Sequence, residues 1–99
     1  MSNAEGIRLD KWLWYARFFK TRSLASKVCG KGKVRVNGIT VYKAHFIIRV
    51  GSVLTFPKAR EIFVVRVEEL GDRRGPAREA QSLYTTLVEA TERLSVSEK

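Results

Sequence analysis

Arg17, Lys20 and Arg22 surround Thr21, a residue type that favours the position just before a helix. If Thr21 caps a helix that begins at Arg22, the first turn exposes unbonded backbone N–H groups between three cations. Such a turn is a ready seat for a phosphate. A guanidinium forks onto two phosphate oxygens where an ammonium offers a point charge, so Arg17 and Arg22 are the leading contacts. Arg8 and Lys11 precede this cluster, and Lys27, Lys31, Lys33 and Arg35 follow it. The chemistry on offer is recognition of a polyanion.

Other chemistries find no constellation. Asp10 is the only carboxylate between residues 7 and 60, so paired-acid catalysis has no second partner. Cys29 and His45 are formally a nucleophile and a base. Cys29, however, falls on the apolar side of its helical pattern, where a thiol is usually inert. His45 has no Cys/His cluster around it and reads as a surface or packing residue, not a metal ligand. Lys31-Gly32-Lys33 lacks the earlier glycine and the following Ser or Thr of a nucleotide-hydrolase phosphate loop. No catalytic residue, cofactor or metal is expected.

The elements that must position these cations follow from periodicity. Leu9, Trp12, Leu13 and Ala16 share one helical face, which predicts a first helix from Ile7 to Phe19. Asp10 sits in its first turn, where it favours the helix dipole or holds an arginine such as Arg8. Lys11, Trp14, Tyr15 and Phe18 form a second stripe. Most of it reads as packing, with Trp14 left for a partner. The second helix runs from Arg22 to about Gly30, with Leu24, Ala25, Val28 and Cys29 apolar and Ser26 and Lys27 outward. Val34-Arg35-Val36 alternates in, out, in. Asn37-Gly38 is the preferred pair for a type I′ turn, and Ile39-Thr40-Val41 pairs back.

Phe46-Ile47-Ile48 reads as a short strand or a buried connection. Strands follow at Val53–Phe56 and Glu61–Leu70, with Pro57 to Arg60 as a loop between them. A loop from Gly71 to Pro76 leads into a helix predicted from Ala77 to about Arg93, whose face is Ala80, Leu83, Tyr84 and Leu87. The expected fold is α+β: two N-terminal helices on a small, mostly antiparallel sheet with an Asn-Gly hairpin, plus a C-terminal helix. Residues 1–6 are expected to be disordered and 7–70 to form the domain. Residues 71–94 should be a loop and helix packed on it, and 95–99 should fray.

Ninety-nine residues suit one domain, and 44% hydrophobic content is enough for a modest core. The net charge of +9 is unevenly placed. Residues 7–60 carry thirteen Lys or Arg against Asp10, a net +12, whereas residues 61–99 carry six against eight acids, a net −2. The excess lies inside the folded part, and such a field attracts nucleic acid first. No apolar run approaches the roughly 20 residues of a membrane helix. No secretory signal opens the chain, and a single cysteine fits a reduced, cytoplasmic setting.

Three segments taken together carry a resemblance: Arg8-Leu9-Asp10-Lys11-Trp12-Leu13; Thr21-Arg22-Ser23 with Ala25; and Gly32-Lys33-Val34-Arg35-Val36-Asn37-Gly38. They resemble the RNA-binding module of small-subunit ribosomal protein S-four, which recurs in pseudouridine synthases, tyrosyl-tRNA synthetases and small stand-alone proteins. Trp12-Leu13-Trp14, Ala16-Arg17-Phe18 with Lys20-Thr21-Arg22, and Gly75-Pro76-Ala77 with Glu79-Ala80 and Leu83-Tyr84 are similar to the family of ribosome-associated heat-shock proteins of about fifteen kilodaltons. The likeness spans about Arg8 to Leu87. It implies binding to structured ribosomal RNA on the large subunit, in recycling or quality control of subunits that carry stalled peptidyl-tRNA. The departure is at the end, where that branch often carries a longer, strongly basic extension and this chain is net acidic.

The expected RNA contacts are Arg8, Lys11, Trp14, Arg17, Lys20, Thr21, Arg22, Ser23, Ser26, Lys27, Lys31, Lys33, Arg35, Asn37 and Lys43. The expected partners are ribosomal RNA and the large subunit, with peptidyl-tRNA. Binding to single-stranded or duplex DNA should be weaker, a membrane role is not expected, and the chain should be a monomer. The alternatives are a general RNA-binding module in ribosome assembly or rRNA maturation, a DNA-binding helix-turn-helix module, and an adaptor for an acidic protein.

Overall fold

In the computed structural model, which describes residues 5–89, the first helix begins later than periodicity predicts. Ile7–Arg8 is a short strand, β1, paired antiparallel with Ile47–Ile48, β4. Helix α1 then runs Leu9–Tyr15. The Leu9 and Asp10 N–H groups donate to the carbonyls of Phe46 (2.8 Å) and Ala44 (3.1 Å). Backbone from a distant segment thus satisfies part of the helix start, a role usually filled by a capping side chain.

The helix also ends earlier than Phe19. Arg17 adopts φ 66°, and the N–H of Phe18 donates back to Leu13 O (3.1 Å). This is a left-handed C-terminal stop of the kind normally given to glycine. An L-residue there costs about 1–2 kcal/mol. The reversal swings Phe18 into the core, against Phe56 and Tyr84 at 4.8 and 4.6 Å between ring centroids.

Helix α2, Arg22–Gly30, forms as predicted. Thr21 is extended, and its Oγ1 accepts from the Leu24 N–H at 3.1 Å. Ala25 and Cys29 are buried, whereas Leu24 is exposed. Strands β2 (Val34–Val36) and β3 (Ile39–Val41) make the hairpin, with Asn37 and Gly38 both at positive φ (53° and 84°).

Strand β5 (Val53–Lys58) runs two residues further than expected, and β6 (Glu61–Val67) ends three residues earlier. The loop predicted at Pro57–Arg60 shrinks to the two residues Ala59 and Arg60, both at positive φ (51° and 75°). Neither is a preferred residue for such a turn, so the sequence gives no sign of it.

The C-terminal helix is the largest correction. Helix α3 covers only Ala77–Gln81, and Tyr84–Glu89 is strand β7, paired with β6 across a register shift between Val64 and Val65. Tyr84-Thr85-Thr86-Leu87-Val88 is rich in aromatic and β-branched residues, which suit a pleated edge. The other edge of β6 also offers a row of backbone groups to be bonded. Ala80 and Leu83 bury as the predicted face requires, but Leu87 does not. Of the expectations for the termini, residues 1–4 of the disordered segment 1–6, residues 90–93 of the C-terminal helix and the frayed tail 95–99 lie outside the described residues.

The five-stranded sheet is ordered β3-β2-β5-β6-β7, antiparallel throughout. Its inner face (Val34, Val36, Leu54, Phe56, Val65 and Val67) packs with Leu9, Trp12, Leu13, Ala16, Ala25 and Cys29 into one core. Trp12 is fully buried and donates its indole N–H to Glu69 O at 2.9 Å. Burial of one such side chain contributes about 2–3 kcal/mol. The predicted α+β fold of two helices on an antiparallel sheet is the one observed.

Candidate nucleic-acid interface

Asp10 organises the basic corner. It is 2% exposed, yet its partners stand at the surface. Arg8 grips it with two hydrogen bonds, Nε to Oδ1 at 3.1 Å and Nη2 to Oδ2 at 3.0 Å. Arg22 Nε approaches the same Oδ2 at 3.7 Å, an ion pair beyond hydrogen-bond length. The two arginine side chains remain 47% and 39% exposed. The single carboxylate of the basic segment therefore holds Arg8 by two hydrogen bonds and draws Arg22 close as an ion pair, while other N–H donors of both stay at the surface. The cluster keeps a net +1.

Arg22 opens α2, whose first-turn N–H groups lack internal partners apart from the Leu24 N–H that Thr21 caps. Asp10, Arg22, Ser23, Ser26 and Lys27 line one open recess of about 460 Å³ there. It joins charge, hydroxyls and a helix N-terminus, the combination that holds a phosphate.

The structure does not bring every expected residue to this corner. Arg17 donates from Nε to Gly75 O at 2.7 Å, tethering the 71–76 loop. It lines a separate depression with Lys58, Ala77, Ala80 and Gln81. Lys11 stands over the Tyr15 ring, 5.7 Å from its centroid. Trp14 is half-buried, and Arg74 lies over its ring at 5.4 Å.

Thr21 is the helix cap, and Asn37 pins the hairpin: its Oδ1 accepts from the Val53 N–H at 2.9 Å. Lys20, Lys27, Lys31, Lys33, Arg35 and Lys43 are exposed. Arg35 lies between the inward-facing Val34 and Val36, so it points to the sheet face opposite the helices. Lys33 and Arg35 share a groove on that side.

Sequence reasoning missed Arg74. Its Nε donates to Trp14 O (3.1 Å) and its Nη2 to Phe19 O (3.3 Å). The first carbonyl belongs to the last turn of α1 and also accepts from the Arg17 N–H at 3.0 Å; the second belongs to the turn that follows, so Arg74 ties the two together. Only the loop composition around Arg73-Arg74 hinted at a charged clamp.

Cys29 is buried, and burial, helped by the nearby Asp10 charge, pushes its thiol up to about 12. It stays protonated at neutral pH. Among the described residues, no group of three or more His, Cys, Asp or Glu could hold a metal ion, and no helix is long and apolar enough to cross a membrane.

The S4 domain family model matches residues 7–54. A heat shock protein 15 homolog of Haemophilus influenzae is 44% identical over 78 residues, covering 79% of this chain and 59% of that protein. The chain thus spans less than two thirds of that relative's length. The RQC P-site tRNA stabilizing factor of Bacillus subtilis is 36% identical over 83 residues, covering 84% of this chain and 94% of that one. The trimeric structure of Vibrio cholerae heat shock protein 15 superposes with a TM-score of 0.83 at 38% identity, over 95% of both chains.

Proposed function

The chain belongs to the S4 domain family, alongside heat shock protein 15 and the RQC P-site tRNA stabilizing factor, and on that premise we propose that it is a non-catalytic protein that binds structured RNA of the large ribosomal subunit. The observation that carries this reading is the Asp10 clamp. In a segment of net +12, the only carboxylate is buried and used to aim Arg8 and Arg22 outward beside the open first turn of α2.

The mechanism is recognition of shape and backbone. A-form RNA hides its base edges in a groove too narrow for side chains, so pre-aimed guanidinium groups and lysines follow phosphates instead. In this reading residues 7–70 carry the RNA-binding unit. Residues 71–89 brace it, through Arg74 on the Trp14 and Phe19 carbonyls and β7 on the sheet edge.

The biological setting is recycling or quality control of large subunits that hold stalled peptidyl-tRNA, in the cytoplasm where ribosomes work. The name of the B. subtilis relative supports a role at tRNA in the P site. Duplex DNA is a poorer partner, because α2 is short and offers mainly Arg22, Ser26 and Lys27 to read bases. The proposal includes a monomer, against the trimer described for the V. cholerae relative, and sedimentation velocity decides between them.

The test is co-sedimentation of the chain with purified ribosomal subunits, with and without trapped peptidyl-tRNA. Selective binding to large subunits, strengthened by the tRNA, is the expected result. Equal binding to both subunits and to any folded RNA would reduce the reading to a general RNA-binding module.

A further inference from the structure

The sheet face opposite the helices carries a second set of nucleic-acid chemistry. Arg35 pairs with Thr40 on β3 and with Thr55 on β5, and Thr55 pairs with Val64 on β6, so these four lie in one row across the strands. Two residues along the same strands, and therefore on the same face, stand Lys33, Pro57 and Ile62. Pro57 and Ile62 are themselves a cross-strand pair. Lys33, Arg35, Thr40, Thr55, Pro57 and Ile62 line an open groove of about 440 Å³, and among the described residues no carboxylate lines it.

Tyr42 stands at the margin, 66% exposed. Its ring lies against Gly32, where positive φ and the missing side chain make room for it. Ile62 is 48% exposed. The groove therefore offers two cations, two hydroxyls, a flat apolar floor and an adjacent aromatic ring.

A duplex would present only phosphates here and leave the apolar floor unused. An apolar protein segment would have to bury Lys33 and Arg35 without partners. An unpaired nucleotide uses all of it: a base on the floor or the ring, a sugar on the hydroxyls and a phosphate on the cations. The volume is also within the usual range for small-ligand sites, about 300–1,000 Å³. Three exposed lysines follow one another in the chain from one surface to the other: Lys27 lines the helix-corner recess, Lys31 follows α2, and Lys33 lines the groove.

We propose that the outer face of β2, β3, β5 and β6 binds one or two unpaired nucleotides flanking the structured RNA held at the helix corner. This rests on the RNA-binding reading above and adds a second, base-dependent contact to it.

The test is fluorescence anisotropy with the full chain and three RNAs. These are a blunt hairpin, the same hairpin with a three-nucleotide single-stranded tail, and the same tail made abasic. The tail should tighten binding about fivefold or more, the lower range for stacking one base on an aromatic ring. The abasic tail should lose that gain, and Tyr42→Ala should lose it while binding the blunt hairpin as the unaltered chain does. A tailed hairpin that binds within about twofold of the blunt one would overturn the proposal, as would an abasic tail that keeps the full gain. Failure of all three RNAs to bind would instead overturn the RNA-binding reading, and this proposal with it.

Discussion

Asp10→Asn separates pre-organisation from bulk charge, because the two predict opposite signs. The substitution keeps the shape of the side chain and removes the only negative charge of the basic segment. If net charge alone governed binding, RNA affinity would rise. A unit charge about 6 Å from a phosphate in water is worth about 0.7 kcal/mol before salt screening.

The clamp has the opposite effect. Without it, Arg8 and Arg22 must be ordered at the moment of binding, at about 0.5–1.5 kcal/mol for each side chain, or about 1–3 kcal/mol together. The net expectation is a loss of about 0.3–2.3 kcal/mol, which weakens binding about 2- to 50-fold. Both arginine side chains are substantially exposed and regain water, so folding stability should fall by only about 1 kcal/mol. The assay is anisotropy on a ribosomal RNA hairpin at fixed salt, with urea unfolding on the same sample. Binding equal to or tighter than that of the unaltered chain, with the fold intact, would refute the clamp.

Arg74→Ala should lower stability by about 2 kcal/mol, because the Trp14 and Phe19 carbonyls lose their charged donors; the melting temperature should fall by about 8–16 °C with RNA affinity nearly unchanged. Asn37→Ala should likewise act on stability, at about 2 kcal/mol, since it removes the acceptor for Val53 N–H and leaves an L-residue at positive φ; equal losses of affinity and stability would restore it as an RNA contact.

Cys29 should resist thiol reagents in the native chain at pH 8 and react fully in denaturant. Its folded value of about 12 lies above the unfolded 9.0, so its contribution to stability is complete below pH 9 and is lost as pH rises toward 12, at up to about 1.4 kcal/mol per unit. Urea midpoints across that range check the sign.

Local signals in the sequence identified the pieces whose structure is locally determined. Thr21 caps α2 because its hydroxyl reaches only three residues ahead, and Asn37-Gly38 turns the hairpin because both residues tolerate positive φ. The Leu9, Trp12, Leu13 and Ala16 face buries as its spacing requires.

The errors lie where distant backbone decides. α1 starts at Leu9 because residues 44 and 46 accept its N–H groups, and it stops at Arg17 without a glycine to mark the place. Ala80, Leu83, Tyr84 and Leu87 fit a helical period. A single short helix followed by a strand fits the same residues, and the open edge of β6 selects it.

In the site, Asp10 as a holder of Arg8 was legible, but the approach of Arg22 depends on how α1 and α2 pack. Arg35 was legible as outward-facing. That outward means the side of the sheet away from the helices required the fold.

The most direct measurement is the affinity of the full chain for a structured ribosomal RNA hairpin across a salt series from about 50 to 200 mM, for the unaltered chain and for Arg22→Ala. If about five phosphates are contacted, log affinity should fall against log salt with a slope of roughly −3 to −5, and Arg22→Ala should be weaker and shallower by about one unit. A flat response, or one that Arg22→Ala leaves unchanged, would contradict a helix corner that reads the RNA backbone.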